Sequence, residues 1–431
     1  MQFSGGQWHT ILVSGEGAGG KSMFALDITD PADMTSEASL ASNVLWEFTD
    51  PNLGSTFSAP SLGLTNAGTL LFFGNGYNSS TQQPYVYALN PQNGAVIEKI
   101  NLCSFVTTAC NANQPNGLST LTLVNSTGSL AGPANVLYAG DLQGNVWRVD
   151  ISNANPANWT ASVLSQAVDS SGNAQPITTQ PLVSLDPDFP RLPGVMVFVG
   201  TGELLSTNDL STTNTQSMYG LYDAMPNANP ITRANLVQQT LTGTTVTTVN
   251  NTTVNAVIAS SNLVTLPSQM GWYIDFSLNP GERVITNPAL VSSELIVTTD
   301  QPSVVSCQTD YNSWYYEFNY ADGGRFPQPM FDVTESGSVS NSEPNVSGMF
   351  LGNVYASGPR VVSGVLGGGT ENLDILINES AVATAAGSYS SYGQNQLGQQ
   401  CVVGTAGCNP PVQNAGTRGG NQSRTAWWEI R

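Results

Sequence analysis

Short apolar runs, broken by glycine-rich polar turns, recur along this chain. Residues 136–152 read VLYAGDLQGNVWRVDIS. Val136, Tyr138, Val146, Trp147 and Val149 give two stretches β-branched and aromatic character. Gly140, Asp141, Gly144 and Asn145 between them give a tight turn. The spacing predicts a β-hairpin with Trp147 in its core. Residues 10–31, 70–94 and 196–223 repeat the plan. In each, an apolar strand runs into Gly15, Gly74, Gly140 or Gly200. A second strand then ends near Asp27, Asn90, Asp150 or Asp223. Third strands follow at Val44–Phe48 and Ala95–Ile100. Further strands are expected at Glu282–Ile285, Leu295–Thr299, Trp314–Phe318 and Asp374–Ile377.

A strand–turn–strand unit repeated in this way predicts an all-β fold, an irregular β-propeller. Its glycines recur somewhat more widely than typical blades, and about six to eight blades of roughly 50–60 residues fit the length. Helical periodicity is scarce, with one short helix expected within 32–42. Residues 240–262 read as a polar hairpin and 385–424 as an extended loop. No linker divides the chain, so residues 1–431 are expected to form one domain.

Composition narrows the class. Charged residues make up 10% of the 431, and the net charge is −19. Lys21 and Lys99 are the only lysines. With no basic stripe to neutralise phosphates, nucleic acid is not an expected partner. No apolar stretch of about 18 residues provides a membrane-spanning helix. The five cysteines form two close pairs, Cys103/Cys110 and Cys401/Cys408, with Cys307 left over. Two local disulfides are the economical reading and imply an oxidising compartment. Residues 1–20 carry no export signal, so Met1 is expected to open a piece whose natural N-terminal region lies upstream.

Candidate chemistry is sparse. Quinoprotein dehydrogenases use a propeller to hold a quinone beside calcium, but adjacent cysteines and clustered arginines are missing here. His9 is the lone histidine, at the start of a strand, and a structural role is expected. GAGGKS (17–22) lacks the spacing of a phosphate loop and reads as a hairpin turn. Asp27, Asp30 and Asp33 are spaced for turn capping rather than for calcium. Asp141, Gln143 and Asn145 could ligate a cation, although such aspartates usually accept turn N–H bonds.

Several motifs are more specific. They are GAGGKSMFALDITDP (17–31), GNGYNS (74–79), YAGDLQGNVWRVD (138–150), FVGTGELL with QSMYGLYD (198–205 and 216–223), GWYIDFSLNPGERVITNPAL (271–290) and TAWWEIR (425–431). In this order the chain resembles the C-terminal propeller of the PilC/PilY family of type IV pilus tip and biogenesis proteins. The resemblance implies a quinoprotein-like propeller of about seven blades, exported through the periplasm to the pilus tip and cell surface. It implies a non-enzymatic role in assembling pili and opposing their retraction, hence in twitching motility. Adhesion to host or abiotic surfaces and contact with minor pilins are implied too. Many members carry a calcium loop of alternating aspartates before the YAGDLQGN hairpin. Here Asn125, Thr127 and Ser129 keep oxygens at alternate positions, but no Asp or Glu occurs between Lys99 and Asp141. Calcium affinity depends on carboxylate number, so no required cofactor is expected and a tight calcium site is not. A sugar-binding propeller adhesin, with Trp314, Tyr315 and Tyr316 stacking on sugar rings, is the alternative, beside a quinoprotein-like oxidoreductase.

Overall fold

The computed structural model describes residues 8–366, apart from 128–131, 189, 226–229, 306–307, 331, 335 and 337–338. Beyond 366 it describes only short stretches of strand backbone. The chain falls into two compact units, residues 1–195 with 223–232, and residues 196–222 with 233–431.

The first unit is built of antiparallel meanders. Strands β1 (Ile11–Gly15), β2 (Met23–Asp27) and β3 (Val44–Phe48) form one sheet. β4 (Ser61–Thr65), β5 (Gly68–Gly74), β6 (Tyr85–Leu89) and β7 (Val96–Asn101) form the next. β8 (Thr122–Val124), β9 (Val136–Gly140), β10 (Asn145–Asp150) and β11 (Thr160–Gln166) form the third. A further strand, β12, spans Leu182–Leu185. The expected short helix is present as a 3₁₀ helix at Pro31–Met34, capped by Asp30, followed by a six-residue α-helix at Glu37–Ser42.

The central sheet explains why its strands read as unbroken apolar runs. Successive side chains on a strand point to opposite faces, and here both faces are covered. Phe72, Val86 and Ala88 pack with Leu137, Ala139, Trp147 and Val149 of the third sheet. Leu71, Phe73 and Tyr87 pack with Met23, Ala25, Trp46 and Phe48 of the first. Sheets of sequential antiparallel strands packed face to face in this way are propeller blades.

One contact recurs where the first strand of each hairpin ends. A Cβ on Gly15 would meet Thr56, on Gly74 Leu118 and Ser119, on Gly140 Ile177, and on Gly200 Val284, each closer than 3.0 Å. In every case a segment further along the chain crosses against the strand end. The glycines that marked the repeat in the sequence are therefore crossing points.

The second unit contains β13 (Val195–Gly200), β14 (Ser217–Asp223), β15 (Val237–Gln239), β16 (Leu241–Thr247), β17 (Thr253–Ala259) and β18 (Gly271–Asp275). β19 (Ala289–Val291), β20 (Glu294–Val305), β21 (Gln308–Asn319) and β22 (Gly348–Gly352) follow. β18 runs antiparallel to β14 and parallel to β15. The larger sheet has the order β16-β17-β22-β21-β20-β19. Residues 240–262 form the β16–β17 hairpin, as the sequence suggests. Glu282–Ile285 is not a strand: only Arg283 makes a bridge, to Asp300. Its neighbour Glu282 is turned into the interior instead. Within 385–424, short strands occur at Tyr392–Asn395, Gln400–Val402, Cys408–Asn409 and Gln413–Ala415.

Candidate functional site

Two buried polar centres stand out, one in each unit. The first lies at the β9–β10 turn. Gly144 adopts φ +77 there, a conformation costly for any side chain, and its N–H closes the turn on the Asp141 carbonyl at 3.2 Å. Asp141 is fully buried and its carboxylate accepts five hydrogen bonds. Oδ1 receives the backbone N–H groups of Gln143 and Asn145, both at 2.9 Å. Oδ2 receives Trp147 Nε1 at 2.7 Å, Asn145 Nδ2 at 2.9 Å and Asn116 Nδ2 at 3.0 Å. Burial pushes its pKa above the ordinary carboxylate value, and the donors from Asn145, Trp147 and Asn116 pull it back.

The turn also grips the loop before it. Cys103 and Cys110 are joined by a disulfide. Asn145 Nδ2 donates to the Ala109 carbonyl at 2.9 Å. Gln143 accepts from the Asn111 N–H at 2.7 Å and donates to the carbonyls of Asn111 at 3.0 Å and Gln114 at 3.2 Å. The structure thus brings Gly140, Asp141, Gly144, Asn145 and Trp147 together with the disulfide loop. Gln143 was singled out in the sequence as a candidate ligand and here ties down the loop instead, whereas Asn116 is a member that sequence reading missed. Asp141 and Gln143 thus spend their side-chain oxygens on protein N–H groups.

The Asn125 loop tells the same story. Asn125 Oδ1 accepts the Thr127 N–H at 3.0 Å and its hydroxyl at 2.6 Å. Ser129, Cys307 and the closing TAWWEIR lie outside the described residues, and so do the side chains of Cys401 and Cys408. Neutral oxygens already committed to a turn do not fit a calcium ion, which takes six to eight oxygens with carboxylates among them. Among the described residues no three His, Cys, Asp or Glu side chains are grouped to hold a metal.

The second centre lies in the second unit. Glu282 is wholly buried. Its Oε1 accepts the hydroxyls of Thr299 at 2.6 Å and Tyr316 at 2.7 Å, and its Oε2 accepts Asn279 Nδ2 at 2.8 Å. Burial raises its pKa. Arg283, 2% exposed, uses its guanidinium on backbone carbonyls alone. Nε reaches Gly281 at 2.8 Å, Nη1 reaches Glu203 and Asp209, both at 2.9 Å, and Nη2 reaches Thr212 at 2.7 Å. Burial lowers its pKa, and the charges of Asp209 and Glu203 oppose that shift. Arg283 thereby holds the loop whose Ser211, Thr212 and Thr213 line a cleft of about 290 Å³ with Pro280, Gln301 and Asn312. Asp300 is buried beside it. Its Oδ1 accepts Ser313 Oγ at 2.6 Å and the Ala356 N–H at 3.0 Å, whereas Oδ2 has no hydrogen-bond partner. Burial pushes its pKa up to about 6. These residues were missed in sequence reading; the only signal was a Glu-Arg pair inside GWYIDFSLNPGERVITNPAL.

Other chemistry is absorbed by structure. His9 Nδ1 lies 2.6 Å from Asp27 Oδ2. Trp314, Tyr315 and Tyr316 are buried, at 9%, 0% and 0% exposure. They therefore present no stacking platform to a sugar.

These features define a disulfide-bearing β-propeller whose described buried charges tie loops to blades. Comparison with known proteins places it more closely. The profile of the PilY1 beta-propeller domain matches residues 1–254, more than half of the chain, and the chain belongs to that family. It is 32% identical over 380 residues to the type IV pilus biogenesis factor PilY1 of Pseudomonas aeruginosa strain PAO1, covering 79% of this chain and 31% of that protein. It is 30% identical over 344 residues to a PilY1 homolog of Xylella fastidiosa, covering 74% and 22%. The chain thus spans about a third or less of the length of these relatives. The crystal structure of the Pseudomonas aeruginosa PilY1 C-terminal domain superposes with a TM-score of 0.70 at 28% identity, covering 88% of this chain and 80% of that one.

Proposed function

We infer that this propeller serves type IV pilus biogenesis as a non-enzymatic part of the pilus tip. It promotes fibre assembly, opposes retraction and so supports twitching motility. The reading rests chiefly on the agreement with the PilY1 C-terminal domain across 88% of the chain. The Cys103–Cys110 disulfide supports passage through an oxidising compartment such as the periplasm. No helix among the described residues is long and apolar enough to cross a membrane. Minor pilins of the tip complex are the proposed partners, and host or abiotic surfaces the proposed adhesion targets. Blades packed on both faces suit a part that bears load at the end of a fibre. Because Asn125 and Thr127 are closed into a turn, this protein acts without calcium at that loop.

The test counts surface pili after deletion of the gene, with and without the retraction motor. Loss of pili in the single deletion, restored when the motor is also absent, is the expected result. Normal piliation in both strains would remove the assembly role and favour an adhesin that acts on preformed fibres.

A further inference from the structure

We propose that the outer edge of β16 pairs with the same edge of a second copy of this chain, making a weak, symmetric, antiparallel dimer. The edge is open. β16 is the terminal strand of its six-stranded sheet, and its register with β17 runs unbroken from Leu241↔Ala259 to Thr247↔Thr253. Thr240 accepts from the Ser260 N–H, and Thr248 donates to the Thr252 carbonyl, so both face β17. Backbone groups alternate in direction along an antiparallel strand. The N–H and C=O groups of Leu241, Gly243, Thr245 and Thr247 therefore point away from β17, where no other strand lies among the described residues. Thr242, Gly243, Thr245 and Thr247 are exposed.

Such an edge is a template for another strand unless something blunts it. Several other edges here are blunted or bridged: the uncharged edges of β11 and β4 are met at Ser165 by Ile231 and at Thr65 by Ala134. β3 carries Glu47, β7 carries Glu98 and Lys99, and β19, the opposite edge of the same sheet, spans only three residues. β16 reads LTGTTVT, seven residues with neither charge nor proline.

Charge selects the partner. The chain carries −19, so two copies repel over most of their surface. Between Arg233 and Asp275, however, there is no Asp, Glu, Lys or Arg. β16 itself therefore brings no like charge to a two-fold contact, and Asp332 and Glu343 stand beyond its far end, on Thr334 where Val249 is bonded. Its pattern is also self-complementary. A two-fold axis at Thr244 pairs Gly243 with the partner's Thr245 and Leu241 with the partner's Thr247, all of them residues with outward backbone groups. Threonine and valine are good cross-strand neighbours. One strand edge buries less than the roughly 1,200 Å² of a stable interface, so the dimer is weak and favoured where copies are crowded.

Sedimentation velocity of the whole chain over a concentration series tests this. A reversible monomer–dimer equilibrium that tightens with added salt is expected, since salt screens the repulsion around a neutral contact. Thr245→Pro removes an outward N–H without touching the β17 ladder and should weaken association at least about tenfold. If that variant misfolds, Gly243→Glu gives the second reading. A Cβ there meets nothing within 4 Å, and the two new carboxylates would sit diagonally across the axis. A chain that stays monomeric at every concentration and salt overturns the proposal, and so does a dimer indifferent to the folded variant. Pairing of this edge only with a strand of another protein would appear as the first of these outcomes.

Discussion

The Asp141 centre and the Glu282–Arg283 centre solve one problem in two ways. Each places charge where water does not reach, and each satisfies it with neutral partners rather than with an opposite charge. Asp141 gathers five donors, four of them from the turn and the strand that follows it. Glu282 and Arg283 are neighbours in sequence and carry opposite charges. Yet Glu282 accepts from Thr299, Tyr316 and Asn279, while Arg283 donates to carbonyls of residues 203–212 and Gly281. The first centre shapes a hairpin locally; the second ties distant loops to a sheet. In a chain with 10% charged residues, buried charge acts as a fastener. Ion pairs with aromatic company repeat the theme: Lys99 with Asp50 and Tyr87, Arg148 with Asp223 and Tyr138, and Arg233 with Asp275 and Tyr219.

The contrast breaks most sharply at Arg283. Arg283→Met removes four hydrogen bonds from a charged donor to the carbonyls of Gly281, Glu203, Asp209 and Thr212 and should cost about 3 kcal/mol or more in chemical denaturation, since bonds to a charged group contribute about 1.5–3 kcal/mol each. Arg283→Lys should recover little, because one ammonium cannot reproduce the planar fork. A loss below about 1 kcal/mol, the scale of one ordinary hydrogen bond, would mean that the 203–212 loop is held by other contacts.

Asp300, buried beside Arg283, makes stability depend on pH. Its pKa is about 6 in the folded protein against an ordinary 3.8. The folded state therefore binds this proton more tightly than the unfolded state. Its contribution is most favourable below about pH 4 and is lost as pH rises to about 6. Two pKa units correspond to on the order of 3 kcal/mol. Asp300→Asn lacks this dependence, so it should gain on wild type by about that amount between pH 4 and pH 7. Parallel stability curves for the two proteins would show that Asp300 does not titrate there.

The smallest expected effect is that of calcium. About 1 mM calcium, enough to occupy weak extracellular sites, should leave the melting temperature where a chelator leaves it. A rise of several degrees would locate a site that the Asn125 and Asp141 turns do not supply.

What could be read from the sequence follows the distance between partners. The 141–147 turn was legible because its glycine, aspartate and asparagine fix the backbone locally, and Trp147 lies two residues beyond. Asn116, which completes the Asp141 shell, sits 25 residues earlier in an unpatterned loop. The partners of Arg283 lie 71 to 80 residues away. Glu282–Ile285 read as a strand because Val284 and Ile285 are β-branched, yet the burial of both charged neighbours bends the segment away from a ladder. The aromatic run at 314–316 fitted a sugar platform equally well until both faces of β21 proved to be covered. Local turn chemistry is written in adjacent residues; tertiary fastening is not.

The Asp141 turn and the Cys103–Cys110 loop form one mechanical unit. Chemical denaturation of Asp141→Ala, Cys103→Ser and the double variant measures it directly. Shared bonds through Asn145, Gln143 and Asn116 predict a coupling above about 1 kcal/mol, with the double variant less destabilised than the sum of the singles. Additivity within about 0.5 kcal/mol, as independent sites show, would mean that turn and loop are held separately and would contradict the account.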